Sequence, residues 1–154
     1  MPLPCELMPT LFSVTMVIAL ADNSVGLLDT CVVIELGQAV IPTPLPVQSM
    51  VSAITLAELA YGIPLASDPL EATRRAQVYA QVKSWITPVP FDAAAADKYG
   101  ELVALVLKVG RSPRPRRIDL MIAATAAALA VPLYTRDVAA FSGLEPLVDV
   151  ILTS

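Results

Sequence analysis

From Val25 onward, apolar residues arrive in short blocks separated by longer segments patterned at helical spacing. VGLLD is a short apolar run of the kind buried on both faces of a sheet, and TCVVIELG can start a helix directly after it. IPTPLP is a loop, because Pro42, Pro44 and Pro46 forbid regular backbone hydrogen bonding. QSMVSAI suits a second strand. Thr55-Leu-Ala-Glu58 matches the S/T-x-x-E capping box, so a helix is predicted to open at Thr55 and to close at Gly62 and Pro64. PLEATRRAQVYAQVKSWI predicts an amphipathic helix whose core side is Leu70, Val78, Val82, Trp85 and Ile86. TPVPF reads as a short extended link or strand, and AAAADKYGELVALVLKVG as a long helix ended by Gly110. IDLMIAATAAALA is apolar almost all round and predicts a buried helix. PLYT is a further strand, RDVAAF a turn with a short helix, and PLVDVIL a final strand.

Short apolar strands alternating with helices imply an α/β fold, a parallel-sheet α/β/α sandwich in a single domain over residues 25–152. Residues 1–24 differ in character: Pro-punctuated, then apolar, then the turn-like ADNSVG. They read as an extension ahead of the domain, with LFSVTMVIAL as one extra strand, or as residues added by an upstream start codon or by cloning.

The chain has 154 residues, enough for one ordinary core, and is 56% hydrophobic with a mean hydropathy of +0.68. A membrane is therefore the first alternative to test. LFSVTMVIALA and LMIAATAAALAVPLY both fall short of the roughly 20 residues a span needs, and Pro132 interrupts the second. The first also lacks the basic start of a signal peptide. The expectation is a soluble, cytoplasmic protein with no membrane segment and with apolar surface to spare for a partner. A net charge of −4 argues against broad non-specific binding to nucleic acid. Four of the ten basic residues nevertheless share one loop, GRSPRPRR: Arg111, Arg114, Arg116 and Arg117. This loop reads equally as a phosphate-contacting strip or as a solvated loop kept open by Pro113 and Pro115. Cys5 and Cys31 lack metal-finger spacing and read as reduced thiols, Cys31 as a small core residue.

Four acids stand apart from the rest: Asp29 after GLL, Glu58 in SAITLAELAYG, Asp119 in RRIDLMIAATAAALA, and Asp137 after PLYT. Each lies in an apolar or element-starting segment, where an unpaired carboxylate is unfavourable. Each also has an ordinary explanation. Asp29 and Asp137 can cap helices or turns, Glu58 can complete the capping box, and Asp119 can favour a helix dipole. Glu35 is open between surface residue and helper. Asp29 and Asp137 fall at strand carboxyl ends, where sites form in open α/β sheets. If the four converge, a single pair 4 Å apart repels by roughly 4 kcal/mol at an effective dielectric of 20. A hard dication such as Mg2+ or Mn2+ is the natural compensation for such an oxygen cluster. The chain has no His, which excludes His-pair ribonucleases, Ser-His-Asp hydrolases and His-based zinc sites. An aspartyl phosphatase wants a second Asp where this chain has Cys31.

The segments LLDTCVVIEL, TLAELAYG and GRSPRPRRIDLMIAATAAALAVPLYTRDVAAF resemble the PIN-domain ribonucleases, and in particular the VapC-type toxins of bacterial toxin–antitoxin pairs. The resemblance covers about residues 25–152. It implies that Asp29, Glu58, Asp119 and Asp137 form the acidic quartet, with Thr30 and Thr135 supporting them. It implies one or two Mg2+ or Mn2+ ions, held first by Asp29 and Asp119, then by Asp137, with Glu58 acting through water. It further implies RNA cleavage by metal-activated water to a 5′-phosphate and a 3′-hydroxyl, a cognate antitoxin whose C-terminal segment blocks the site, and a homodimer. A PIN-like module that binds protein without cutting is the competing function.

Overall fold

The computed structural model describes residues 24–38 and 40–154. Apart from Ser24, the expected extension and its extra strand in LFSVTMVIAL lie outside the described residues. Four parallel strands form one sheet in the order β2-β1-β3-β4: β1 (Val25–Leu28), β2 (Gln48–Val51), β3 (Leu133–Thr135) and β4 (Val150–Leu152). Helices α1 (Thr30–Gly37), α2 (Ala53–Gly62), α3 (Pro69–Trp85), α4 (Ala93–Lys108) and α5 (Arg117–Leu129) cover it, with short 3-10 helices at Arg114–Arg116 and Val138–Phe141. This is the expected α/β/α sandwich.

Strand alternation splits the core between the two faces. Leu27 and Leu133 point to one side, where they meet Leu102 and Val106 of α4 and Leu120, Ile122 and Ala123 of α5. Leu28, Tyr134 and Val51 point to the other, against Val32 and Val33 of α1, Leu59 of α2 and Val82 of α3. Each fully buried leucine contributes roughly 1.5–3 kcal/mol, so both faces are firmly seated. Gly26 is required by this packing: a Cβ there would lie 2.3 Å from the Tyr134 ring. The α5 helix buries Ala123, Ala124 and Ala126 completely, as its all-apolar sequence predicts. Gly110, at φ +76°, follows the end of α4 as expected.

Two local readings change. The capping residue of α2 is Ser52, whose side chain accepts from the Thr55 N–H at 2.9 Å, so the helix opens two residues before Thr55 and Glu58 is freed from a capping role. Leu70 and Trp85 of α3 are 64% and 63% exposed, because both stand at helix ends that no element among the described residues covers. Val82 is buried, and Val78 and Ile86 pack against the same cluster. TPVPF, as expected, is a short extended link, and its Val89 makes a parallel bridge to Ser52 just past the carboxyl end of β2. No helix among the described residues is long and apolar enough to cross a membrane.

Because β1 connects to β2 on one side and the chain returns to β3 on the other, the connection direction reverses between β1 and β3. In parallel sheets a crevice opens at that point, outside the carboxyl ends of the strands. Asp29 follows β1 directly, and Asp137 lies two residues past the end of β3.

Candidate active site

Asp29 continues the β1 ladder, its N–H donating to the Tyr134 carbonyl at 2.9 Å. Its extended backbone makes it the N-cap of α1, with Oδ1 accepting from the Thr30 N–H at 2.8 Å. Oδ2 accepts from the Thr135 hydroxyl at 2.7 Å and from the Cys31 thiol at 3.2 Å. Asp29 is only 8% exposed, and these donors are what make a buried carboxylate tolerable. Thr135, the fully buried last residue of β3, also accepts the Asp137 N–H at 3.1 Å. One hydroxyl thereby links two of the acids.

Cys31 was expected in the core and instead sits half-buried at this site. An N-cap turn brings residue i+2 back over the capping carboxylate, a signal that could have been read from the Asp29–Cys31 spacing. Burial, then the neighbouring Asp29 charge, push its thiol pKa up, against a lowering by the Arg136 N–H.

Glu58 projects from α2 with its carboxylate accepting from the Thr30 hydroxyl. Burial raises its pKa, the Thr30 hydrogen bond opposes that rise, and the charge of Asp29 adds to it. Asp119 stands in the first turn of α5, half-buried. Its pKa is pushed up to about 6, first by burial, then by the charges of Asp29 and Glu58, with Arg116 opposing and Asp137 adding. Asp119 thus lies in the field of all three other acids, so the sequence-predicted quartet shares one locality. Asp137 is exposed, and its Oδ1 caps the following 3-10 helix at the Ala140 N–H, 3.1 Å away.

In kind, the donor set fits a hard dication: carboxylate oxygens, no imidazole, and a negative field at Asp119 that Arg116 opposes without cancelling. In placement the set is open. Among the described residues, no three His, Cys, Asp or Glu side chains are arranged as they stand to hold one ion.

The Arg-rich loop flanks the Asp119 and Asp137 side. Arg111 donates to the Ser142 carbonyl at 3.0 Å, and Arg116 to the Ala139 carbonyl at 3.2 Å, so these two brace the 3-10 helix after Asp137. Arg114 and Arg117 are exposed. On the Glu58 side a groove of about 740 Å³ runs between α1, α2 and α3, bordered by Thr30, Ile34, Glu58, Arg74 and Val78. Sequence reasoning left Glu35 open. Here it pairs with Arg136, next to Asp137.

A family profile described as PIN domain matches residues 27–142, a span that contains all four acids. The chain belongs to the PIN-domain family. Among solved structures, VapBC-5 from Mycobacterium tuberculosis, a member of the VapBC family of toxin–antitoxin systems, is 32% identical with a TM-score of 0.69, covering 84% of this chain and 98% of that chain. FitAcB from Neisseria gonorrhoeae is 25% identical with a TM-score of 0.60, covering 82% and 96%. VapBC2 from Rickettsia felis, bound to a DNA fragment from its promoter, is 20% identical with a TM-score of 0.66, covering 84% and 99%, and speaks for the PIN fold alone. No curated protein matches the sequence.

Proposed function

We propose that this PIN domain is the toxin of a toxin–antitoxin pair and acts as an Mg2+- or Mn2+-dependent endoribonuclease. The observation that carries the reading is the setting of Asp119: burial first, then the charges of Asp29 and Glu58, push its pKa up to about 6, with Arg116 opposing and Asp137 adding. Such a cluster is unfavourable on its own and becomes favourable around a dication. The silent-module alternative gives no reason to gather these charges.

In this reading Asp29 and Asp119 hold the ion first, Asp137 joins them, and Glu58 acts through a water. When bound, the ion lowers the pKa of a water and neutralises charge on the scissile phosphate. The chain's own contribution is preorganisation. Thr135 keeps the Asp29 carboxylate aimed by donating to Oδ2, and Thr30 restrains Glu58. In the same reading the exposed Arg114 and Arg117 engage RNA phosphate, which a guanidinium can meet bidentately, while Arg111 and Arg116 hold the adjoining turn. The neighbouring toxin–antitoxin structures support an antitoxin partner, and the groove beside Glu58 with its apolar Ile34 and Val78 suits an antitoxin segment. A homodimer and a cytoplasmic location belong to the same proposal.

The test is cleavage of a defined RNA by the purified chain. Cutting should require Mg2+ or Mn2+, and Asp119→Asn should abolish it while leaving circular dichroism unchanged. Cleavage that persists in EDTA would defeat the metal-dependent reading.

A further inference from the structure

The β3 ladder ends at Thr135, so among the described residues the backbone that carries Arg136 and Asp137 has no strand neighbour to place it. The Thr135 hydroxyl holds the Asp137 N–H, Arg111 and Arg116 hold the 3-10 helix beyond it, and the adjoining face of α1 holds Arg136. Cys31 and Glu35 are one helical turn apart and present a common face. The Arg136 N–H donates to the Cys31 Sγ at 3.5 Å, and the Arg136 guanidinium pairs with the Glu35 carboxylate. The Glu35 side chain is only 17% exposed, so its partner is drawn to a defined place rather than sampled from solvent. Cys31 in turn donates to Asp29 Oδ2, so α1 touches Asp29 and the residue before Asp137 with the same side chain.

We infer that this face of α1 is a positioning clamp: Glu35, acting through Arg136, sets the distance of Asp137 from Asp29. The inference deepens the nuclease reading and rests on it for its consequence, since Asp137 is one of the acids offered to the ion. The clamp itself is a statement about the Asp137 turn. A partly exposed ion pair adds little to global stability, so its loss should displace the turn more than it weakens the fold.

The experiment compares the full chain with Glu35→Gln, with Arg136→Gln, and with the exchanged pair Glu35→Arg plus Arg136→Glu. Amide hydrogen exchange at Asp137 and Ala140 reads the turn without any ion. Binding of Mn2+, followed by electron paramagnetic resonance, reads the assembled site, and kcat against KM reads the reaction. Each single variant should speed exchange at both amides severalfold, weaken Mn2+ binding about tenfold, and lower kcat with KM nearly unchanged. Tm should hardly move, and the exchanged pair should recover much of each loss. Unchanged exchange at Asp137 and Ala140 in both single variants overturns the clamp, as does a lower Tm without faster exchange there. If the unmodified chain neither binds Mn2+ nor cuts RNA, the nuclease reading fails, and the exchange rates still decide the clamp.

Discussion

Asp29, at the end of β1, is 8% exposed and receives hydrogen bonds from Thr30, Cys31 and Thr135, whereas Asp119, in the first turn of α5, is half-buried among other carboxylates. The difference follows from the elements that carry them. A strand end inherits neighbours from its ladder, so β3 delivers a hydroxyl directly opposite the β1 carboxylate. A helix start delivers a side chain and a dipole, and nothing in its geometry supplies a second donor. The site therefore has a strand half that is organised in advance and a helix half whose charge awaits a counter-charge.

The largest effect should come from breaking the strand half. Thr135→Val removes the hydroxyl that donates to Asp29 in a buried setting and accepts from the Asp137 N–H in a part-buried one. Leaving those groups underserved should destabilise the protein by about 2 kcal/mol in urea unfolding. A loss below a few tenths would mean that Asp29 does not depend on its ladder neighbour.

The helix half should respond with the opposite sign. With its folded pKa raised to about 6, Asp119 contributes stability that is present below its unfolded pKa, near 3.8, and lost as pH rises through 6. Ion-free Asp119→Asn should therefore be more stable than the unmodified chain at pH 7, by on the order of 1 kcal/mol once solvent screening of a half-exposed group is allowed for, and equal to it near pH 4. Adding Mg2+ should reverse the ranking, because an ion at a hundred times its Kd stabilises the unmodified chain by about 2.7 kcal/mol. Urea titrations at both pH values, with and without Mg2+, check the signs. An Asn variant less stable at pH 7 without the ion would show that Asp119 is compensated by the protein itself.

The same division explains what could be read from residues alone. The parallel sheet and its two covers were legible because VGLLD, PLYT and the all-apolar IDLMIAATAAALA leave little choice of burial. Asp29 and Asp137 were legible because strand carboxyl ends can be counted along the chain. Glu58 was ambiguous as long as Thr55 looked like the cap. Ser52 takes that place through a hydrogen bond that depends on where β2 stops, which spacing does not give. Cys31 and the Glu35–Arg136 pair were hidden for a related reason: both join α1 to a turn more than 100 residues away, and no local pattern encodes that meeting. Trp85 and Leu70 misled because helical periodicity marks a face but not how far along the helix its partners extend. The roles of Arg111 and Arg116 split from those of Arg114 and Arg117 only when the carbonyls of Ala139 and Ser142 were placed.

The smallest effect, and the finest check on the comparison, lies at Thr30. Its hydroxyl is the only hydrogen-bond donor among the causes that shift Glu58, and it lowers the carboxyl pKa against burial and the charge of Asp29. Thr30→Val should thus raise the Glu58 pKa further, which carbon-detected NMR titration of the carboxyl can follow. The sign for stability is again that of a raised acid: the loss appears as pH climbs through the folded pKa and fades in acid. Because Glu58 is only half-buried, water can replace the lost donor, and the penalty at pH 7 should stay near 0.5 kcal/mol, well below that of Thr135→Val. Equal penalties for the two threonines would erase the distinction between the halves, since both carboxylates would then depend on their hydroxyls alike. An unmoved Glu58 titration would place its support elsewhere on α2.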